Sequence, residues 1–288
     1  MAIINTNIPA MNSHRAALRQ GYSQATASER LTSGQRINRA ADDAAGLAIS
    51  EGLRNQIRGM DQAQRNVQDG ISLIQTTEGA LEEVHRVLER VRGLTVQGAN
   101  DTYETQSRLH IWGEVDEMLA EVERIARETH FNGLYVLQGS EADIPNTYDP
   151  LVLNIQQGAN STQMLPIVLY PMTLLGLGLY TYSDDFFQGA VDNSGEVISH
   201  LIEAMDEAVR TVSAQRAHLG AQQNALAHTY NRLGVASENA SAANSRIRDA
   251  DMALEMMNLT KANILGQASF SMLAHANLMP QTTLELLQ

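Results

Sequence analysis

Residues 198–247 read ISHLIEAMDEAVRTVSAQRAHLGAQQNALAHTYNRLGVASENASAANSRI, and one spacing runs through all of them. Ile198, Leu201, Met205, Ala208, Val212, Gln215, Leu219, Gln222, Leu226, Thr229, Leu233, Ala236, Ala240, Ala243 and Ile247 follow one another at alternating steps of three and four. Only Gln215, Gln222 and Thr229 are polar, so the pattern reads as the seam of a coiled coil. As one helix the stretch would reach about 75 Å at ~1.5 Å per residue. A compact chain of 288 residues is roughly 50 Å across. The sequence therefore predicts an elongated molecule, or a piece of something larger.

Working outward, the N-terminal arm repeats the pattern. Ile57, Met60, Val67, Ile71, Ile74, Leu81, Val84, Leu88 and Val91 keep helical steps, with polar Gln64 and Glu78 interrupting. Asn100-Asp101 ends this helix. A third begins near Thr105, carries Leu109, Trp112, Val115, Leu119, Val122 and Ile125, and stops before Phe131-Asn132-Gly133. Three such helices predict an elongated bundle. Gly46, Gly52, Gly59, Gly70, Gly79 and Gly93 all fall in the helical stretch, where each costs about 1 kcal/mol relative to Ala. Six together predict close backbone contact and helices stabilised by neighbours. Residues 1–40 and 250–288 are Ala- and Gly-rich and amphipathic, with too few bulky residues for a core of their own. Such ends order when a partner buries them.

Composition narrows the function. Apolar residues make up 43%, and Asp plus Glu (33) outnumber Lys plus Arg (20) for a net charge of −13. That balance argues against nucleic acid and anionic membrane, which reward basic patches. Cys is absent, which excludes disulfides, thiolate nucleophiles and cysteine zinc sites. Nearly all the cations are Arg, with Lys261 the single lysine. Residues 1–40 carry five arginines against one acid, Glu29. No Lys or Arg occurs from Glu141 to His200, where four of the six prolines fall. The region at about 141–195 is thus a non-helical, acidic insert between helical arms.

Met1–Gln20 lacks a basic region followed by an apolar run, so no secretory leader is read there. Met164–Tyr182 is uncharged and Leu-rich, but Pro166, Pro171, Gly176 and Gly178 interrupt any spanning helix. It reads as a buried strand and loop. Glu82-Glu83-Val84-His85 contains the Glu-x-x-His half-site of di-iron bundles without a second copy, so His85 reads as part of a solvated face. No zincin, nucleophile-elbow or phosphate-loop motif occurs, and neither a catalytic residue nor a cofactor is expected.

Both ends resemble bacterial flagellin, the subunit family of the flagellar filament. Ala2-Ile3-Ile4-Asn5-Thr6-Asn7 is similar to the family's opening. Glu29-Arg30-Leu31-Thr32-Ser33-Gly34-Gln35-Arg36-Ile37-Asn38 resembles its "ERLSSGxRIN" signature, and Ala40-Ala41-Asp42-Asp43-Ala44-Ala45-Gly46 continues it. Ser245-Arg246-Ile247-Arg248-Asp249-Ala250-Asp251 resembles "SRIxDAD". Thr76–Leu81, Thr129–Gly133, Lys261–Leu265 and Ala274–Asn277 follow in family order, and Leu153–Asn160 resembles the family's hairpin. The short middle departs from longer relatives, whose large outer domains look absent here.

The resemblance implies a mainly α fold: an antiparallel helical bundle with a small β-hairpin region and terminal helices that order on polymerisation. It places a discontinuous filament-core domain at 1–44 plus 247–288 and a bundle domain at 45–246. It implies a structural, non-enzymatic subunit that polymerises with itself into an extracellular filament used for motility. It implies unfolded export by the flagellar type III apparatus, with an export chaperone, the filament cap and hook-junction proteins as partners. The implied assembly residues are Ile4, Asn5, Leu31, Ser33, Gly34, Arg36, Ile37, Asn38, Asp42, Asp43, Gly46, Arg246, Ile247, Asp249, Asp251 and Leu273. The segment Leu88–Gln97 resembles the one read by the vertebrate Toll-like flagellin receptor, which implies Arg90, Leu94 and Glu114 as contacts. The nearest rival is the hook–filament junction protein, whose start and Asp-Asp block differ from the run here.

Overall fold

The structure, a computed structural model, describes residues 6–100, 102–139, 149–180 and 195–285. Ile4, Asn5 and the ends of the acidic insert lie outside the described residues. The long three-four spacings become long helices, as apolar stripes with polar backs dictate. In chain order the elements are α1 (Ile8–Ser33), α2 (Ala44–Gly98), α3 (Thr105–Glu128), β1 (His130–Phe131), β2 (Leu134–Tyr135), β3 (Leu151–Gln156), β4 (Met164–Leu169), α4 (Gly195–Arg248) and α5 (Met252–Glu285). The fold is mainly α, with two small antiparallel hairpins, β1–β2 and β3–β4.

The chain divides into two compact units, Met1–Ile57 with Glu238–Gln288, and Arg58–Ser237. The expected boundaries, 44/45 and 246/247, fall one residue inside α2 and two residues before the end of α4. α2 and α4 are unbroken helices across both divisions.

In the Arg58–Ser237 unit the expected seams form the core, except that Leu109 is exposed and Ile111 is buried at the start of α3 in its place. Val67, Ile74, Leu81, Val84, Leu88 and Val91 of α2, Trp112, Val115, Leu119 and Val122 of α3, and Leu201, Met205, Val212, Leu219 and Leu226 of α4 are all buried. Ion pairs stitch the rim. Arg92 Nε donates to Asp206 Oδ1 at 2.5 Å across α2–α4, and Arg90 donates to Glu114 at 2.7 Å across α2–α3. The hydrogen bond to Asp206 holds Arg92 more firmly protonated than usual, and the guanidinium lowers the Asp206 pKa in return.

The β3–β4 hairpin lies against these helices. Its register opposes Leu151 to Leu169, Leu153 to Ile167 and Ile155 to Leu165, and on one face of a two-residue period these apolar side chains point the same way. Ile167 and Leu169 are fully buried. The three polar members of the α4 seam serve the hairpin. Gln215 Nε2 donates to the Val168 carbonyl at 3.0 Å, and Gln222 Nε2 to the Pro166 carbonyl at 3.1 Å. The Thr229 hydroxyl donates to Gln157 Oε1 at 3.4 Å. Gln215 and Gln222 interrupt the apolar pattern where a strand carbonyl needs a donor. After β4, the Met172 amide donates to the Leu137 carbonyl and the Leu174 amide to Glu123 Oε2, both at 2.8 Å. Met164–Tyr180 is thus a strand followed by a loop with buried Met172 and Leu179. No helix among the described residues is long and apolar enough to cross a membrane.

The glycines divide. A Cβ at Gly59 would stand 2.7 Å from the Ala159 Cβ, and one at Gly70 3.3 Å from Ile155, so both glycines admit the hairpin to α2. At Gly46 it would strike Asp43 and Ile37. At Gly52, Gly79 and Gly93 nothing lies within 4 Å, which corrects the expectation that all six mark close contacts within the subunit. His85 is half-buried rather than solvated, with Nε2 3.3 Å from Glu89.

Candidate functional site

The unit formed by Met1–Ile57 and Glu238–Gln288 holds most of the residues expected to act in assembly. α1 starts at Asn7, whose side-chain oxygen accepts the Ala10 amide at 3.0 Å, with Pro9 inside the first turn. Asn with Pro just behind it is a strong start signal. α1 ends at Gly34, whose φ of +68° is a left-handed cap that glycine adopts without steric cost, and its N–H bonds the Arg30 carbonyl at 2.8 Å.

Beyond Gly34 the chain turns, and the turn is clasped to the α4–α5 junction. Gln35 pairs with Asp249 as an isolated antiparallel bridge. The Arg36 amide donates to the Arg248 carbonyl at 2.7 Å, and the Ala250 amide to the Gly34 carbonyl at 3.0 Å. The Arg36 guanidinium reaches the Ile247 carbonyl at 2.6 Å, and Arg248 donates to Gln35 Oε1 at 3.0 Å and Glu51 Oε1 at 2.7 Å. Ile37 is fully buried beneath. Asn38 Nδ2 donates to Ser33 Oγ at 2.9 Å.

Asp42 and Asp43 have separate roles. Asp42 Oδ2 accepts the amides of Arg39 (2.9 Å) and Asn38 (3.1 Å). These bonds, helped by the charges of Arg30 and Arg39, hold its carboxyl below the usual range. Asp43 Oδ1 accepts the Gly46 amide at 2.8 Å and so caps α2. Asp251 does the same for α5, accepting the amides of Ala253 and Leu254 at 2.9 and 3.1 Å. Asp249 accepts from Ser245 Oγ. Arg248, with Arg54 second, lowers the Glu51 pKa through hydrogen bonds.

α1 and α5 pair antiparallel. Asn7 Nδ2 donates to the Ala276 carbonyl at 2.7 Å near one end, and Arg30 meets Glu255 at 3.0 Å near the other. The seam between them is small: Ala17, Ala27, Ala262 and Ala276 are buried, while Leu31 and Leu273 are half-buried. The large apolar side chains face outward. Met11 is 58% exposed, Tyr22 75%, Ile264 62% and Phe270 64%, with Leu18, Leu254, Met256, Met257 and Met272 likewise exposed. A buried methyl contributes about 0.8 kcal/mol and a buried Leu or Phe about 1.5–3. The pair thus hides its weak contributors and shows its strong ones, the reverse of a self-sufficient helix pair.

The structure thus brings Ser33, Gly34, Arg36, Ile37, Asn38, Asp42, Asp43, Gly46, Ile247, Asp249 and Asp251 into one clasp, and puts Leu31 and Leu273 on the helix pair. Arg246 stands exposed. Sequence reading missed Asn7, Gln35, Glu51, Arg248 and Glu255 as members. Asn7 was legible as a cap; Arg248 bonds a residue 197 positions away, which no local signal encodes. In the other unit, Arg90 and Glu114 form an exposed pair, but Leu94 is 2% exposed. The resemblance implied Leu94 as a contact beside Arg90; in the subunit Leu94 packs into the core. Among the described residues no three His, Asp or Glu gather in a way that could hold a metal.

Residues 4–142 match the family model for the bacterial flagellin N-terminal helical region, and residues 202–287 that for the bacterial flagellin C-terminal helical region. The chain belongs to the bacterial flagellin family. It is 48% identical over 289 residues to flagellin of Halalkalibacterium halodurans, covering 99% of this chain and 100% of the relative. It is 43% identical over 285 residues to the flagellar filament 30.7 kDa core protein of Treponema maltophilum, covering 99% of each. A putative flagellar hook-associated protein from Vibrio parahaemolyticus shares the fold at a TM-score of 0.55 and 16% identity, over 72% of this chain and 100% of that one. Full-length flagellin matches against a shape-only likeness place the chain among filament subunits rather than hook-junction proteins. It is a structural subunit of the flagellar filament, not an enzyme.

Proposed function

We propose that α1 and α5, set by the clasp, are the faces through which the subunit polymerises with copies of itself. The carrying observation is the outward-facing apolar surface of these two helices. Helices of 26 and 34 residues lose about 1–2 kcal/mol of backbone entropy per ordered residue. A seam of alanines offsets little of that, whereas burial of the outer Leu, Ile, Met and Phe between copies offsets far more. Residues 1–44 with 247–288 are then the filament core, and 45–246 the bundle outside it.

The same reading supplies the route. The chain is exported unfolded by the flagellar type III apparatus with an export chaperone, is added beneath the filament cap outside the cell, and meets hook-junction proteins at the base. Absence of Cys suits that route, since no disulfide has to form afterwards. The vertebrate Toll-like flagellin receptor is a further partner of the free subunit. The exposed Arg90–Glu114 pair offers the polar contact, and Leu94 supports it from beneath.

Truncation tests the reading. Chains lacking 1–30 or 255–288 are expected to stay helical by circular dichroism and to stop elongating filament seeds. Ordinary filaments from either truncated chain would overturn it. For the receptor, Arg90→Ala and Glu114→Ala should weaken a reporter-cell response to monomer, and equal responses would remove the pair from that role.

A further inference from the structure

Most of the exposed methionines among the described residues lie on one helix, α5. In the Arg58–Ser237 unit Met60, Met172 and Met205 are 6%, 0% and 0% exposed, and Met164 on β4 is 50% exposed. On α5, Met252, Met256, Met257, Met272 and Met279 are 49–65% exposed. Met256 and Met257 line an apolar depression of about 520 Å³ with Ile264, Leu265 and the single lysine, Lys261. With no cysteine in the sequence, thioethers are the only sulfurs a two-electron oxidant can reach.

We infer that the α5 methionines are a peroxide-sensitive modification site that controls addition of the subunit to the filament; this rests on the reading of α5 as a polymerising face. The co-reactant is a peroxide. Its terminal oxygen bonds to the Met sulfur as the O–O bond breaks, sulfide becomes sulfoxide, and the peroxide is reduced to water or an alcohol. The product is polar and chiral where the contact requires a flexible apolar chain. A sulfoxide oxygen buried without a donor opposes association. Free subunits are therefore sensitive, while copies already in the filament have these sulfurs covered. Methionine sulfoxide reductases, one for each epimer, return the sulfide.

The test uses purified full-length monomer, dilute hydrogen peroxide and seeded elongation on untreated filament fragments, with peptide mass spectrometry to locate sulfoxides. Oxidation is expected to fall on the α5 methionines before Met60, Met172 and Met205. It should raise the monomer concentration needed for elongation at least tenfold, and treatment with both reductases should restore the original value. With Met11 on α1 already replaced by Leu, a chain with Met252, Met256, Met257, Met272 and Met279 each replaced by Leu as well, a swap of similar volume, should elongate equally with and without peroxide, whereas the chain with Met11→Leu alone should stay sensitive. If the multiply substituted chain elongates poorly even untreated, reductase rescue of the oxidised native chain carries the test. Elongation of oxidised native monomer at the untreated concentration would overturn the proposal, as would a loss the reductases do not reverse. Failure of the native chain to elongate before peroxide is added would overturn the reading of α5 beneath it.

Discussion

Alanine at Gly79 and Gly93 should stabilise the bundle, whereas alanine at Gly59 should not. In each case the helix interior gains up to about 1 kcal/mol from the added methyl. At Gly79 and Gly93 nothing opposes that gain, since no atom lies within 4 Å of the new Cβ. The two sites are fourteen residues apart, about 21 Å along α2, so their effects should add to about 2 kcal/mol. For a folded unit of this size that is a rise of roughly 4–8 °C in melting temperature. At Gly59 the methyl meets the Ala159 Cβ at 2.7 Å and its Cα at 3.1 Å. Overpacking of that kind costs about 1–3 kcal/mol, so the net change is neutral to a loss of about 2 kcal/mol. Thermal scans at 222 nm on the three single variants and the Gly79/Gly93 pair read this directly. Equal stabilisation by Gly59→Ala and Gly79→Ala would show that the hairpin tip does not rest on α2. Destabilisation by Gly79→Ala or Gly93→Ala would refute the open surroundings assigned to those positions.

Gln215→Leu leaves the Val168 carbonyl without its donor and should cost about 1–3 kcal/mol, with faster amide exchange along β4 as the readout. Leu169→Asp puts a carboxylate at a fully buried position and should cost several kcal/mol; a melting temperature near the native value would remove Leu169 from the core. Asp42 has a folded pKa below its ordinary 3.8, so its contribution is present above that value and is lost as pH falls through the folded one. Amides of the clasp should therefore lose exchange protection below about pH 4, and Asp42→Asn should flatten that acid limb.

Much of this architecture was legible because long helices declare their buried face in every turn. Ile198 through Leu233 and Val67 through Val91 needed only their spacing. Gln215 and Gln222 of the α4 seam were legible as exceptions but not as hairpin clamps, because their partners are backbone carbonyls, which all residues share. Glycine was misread at Gly52, Gly79 and Gly93 because a missing Cβ looks the same in sequence whether a neighbour needs the room or not. Leu94 was placed beside Arg90 by the family resemblance, yet the offset of roughly forty degrees between i and i+4 suffices to turn one side chain into the core and the other to water. The clasp was visible as motifs through family resemblance. Its physics was half visible: Gly34, Asp43 and Asp251 are ordinary capping residues, whereas Arg248–Glu51 is settled only when the two ends meet.

That meeting has a kinetic consequence. Arg248 and Gln35 are 213 positions apart, and closing so long a loop in an open chain costs roughly 2–3 kcal/mol more than closing one of ten residues. The penalty falls once Ser237 has bonded Asp61, because only the short stretches between that tie and the clasp remain to be ordered. The bundle should therefore fold first and act as a template, with the clasp closing late and opening early. A single chain thus carries a slow timer at its ends: α1 and α5 settle only after the rest has folded.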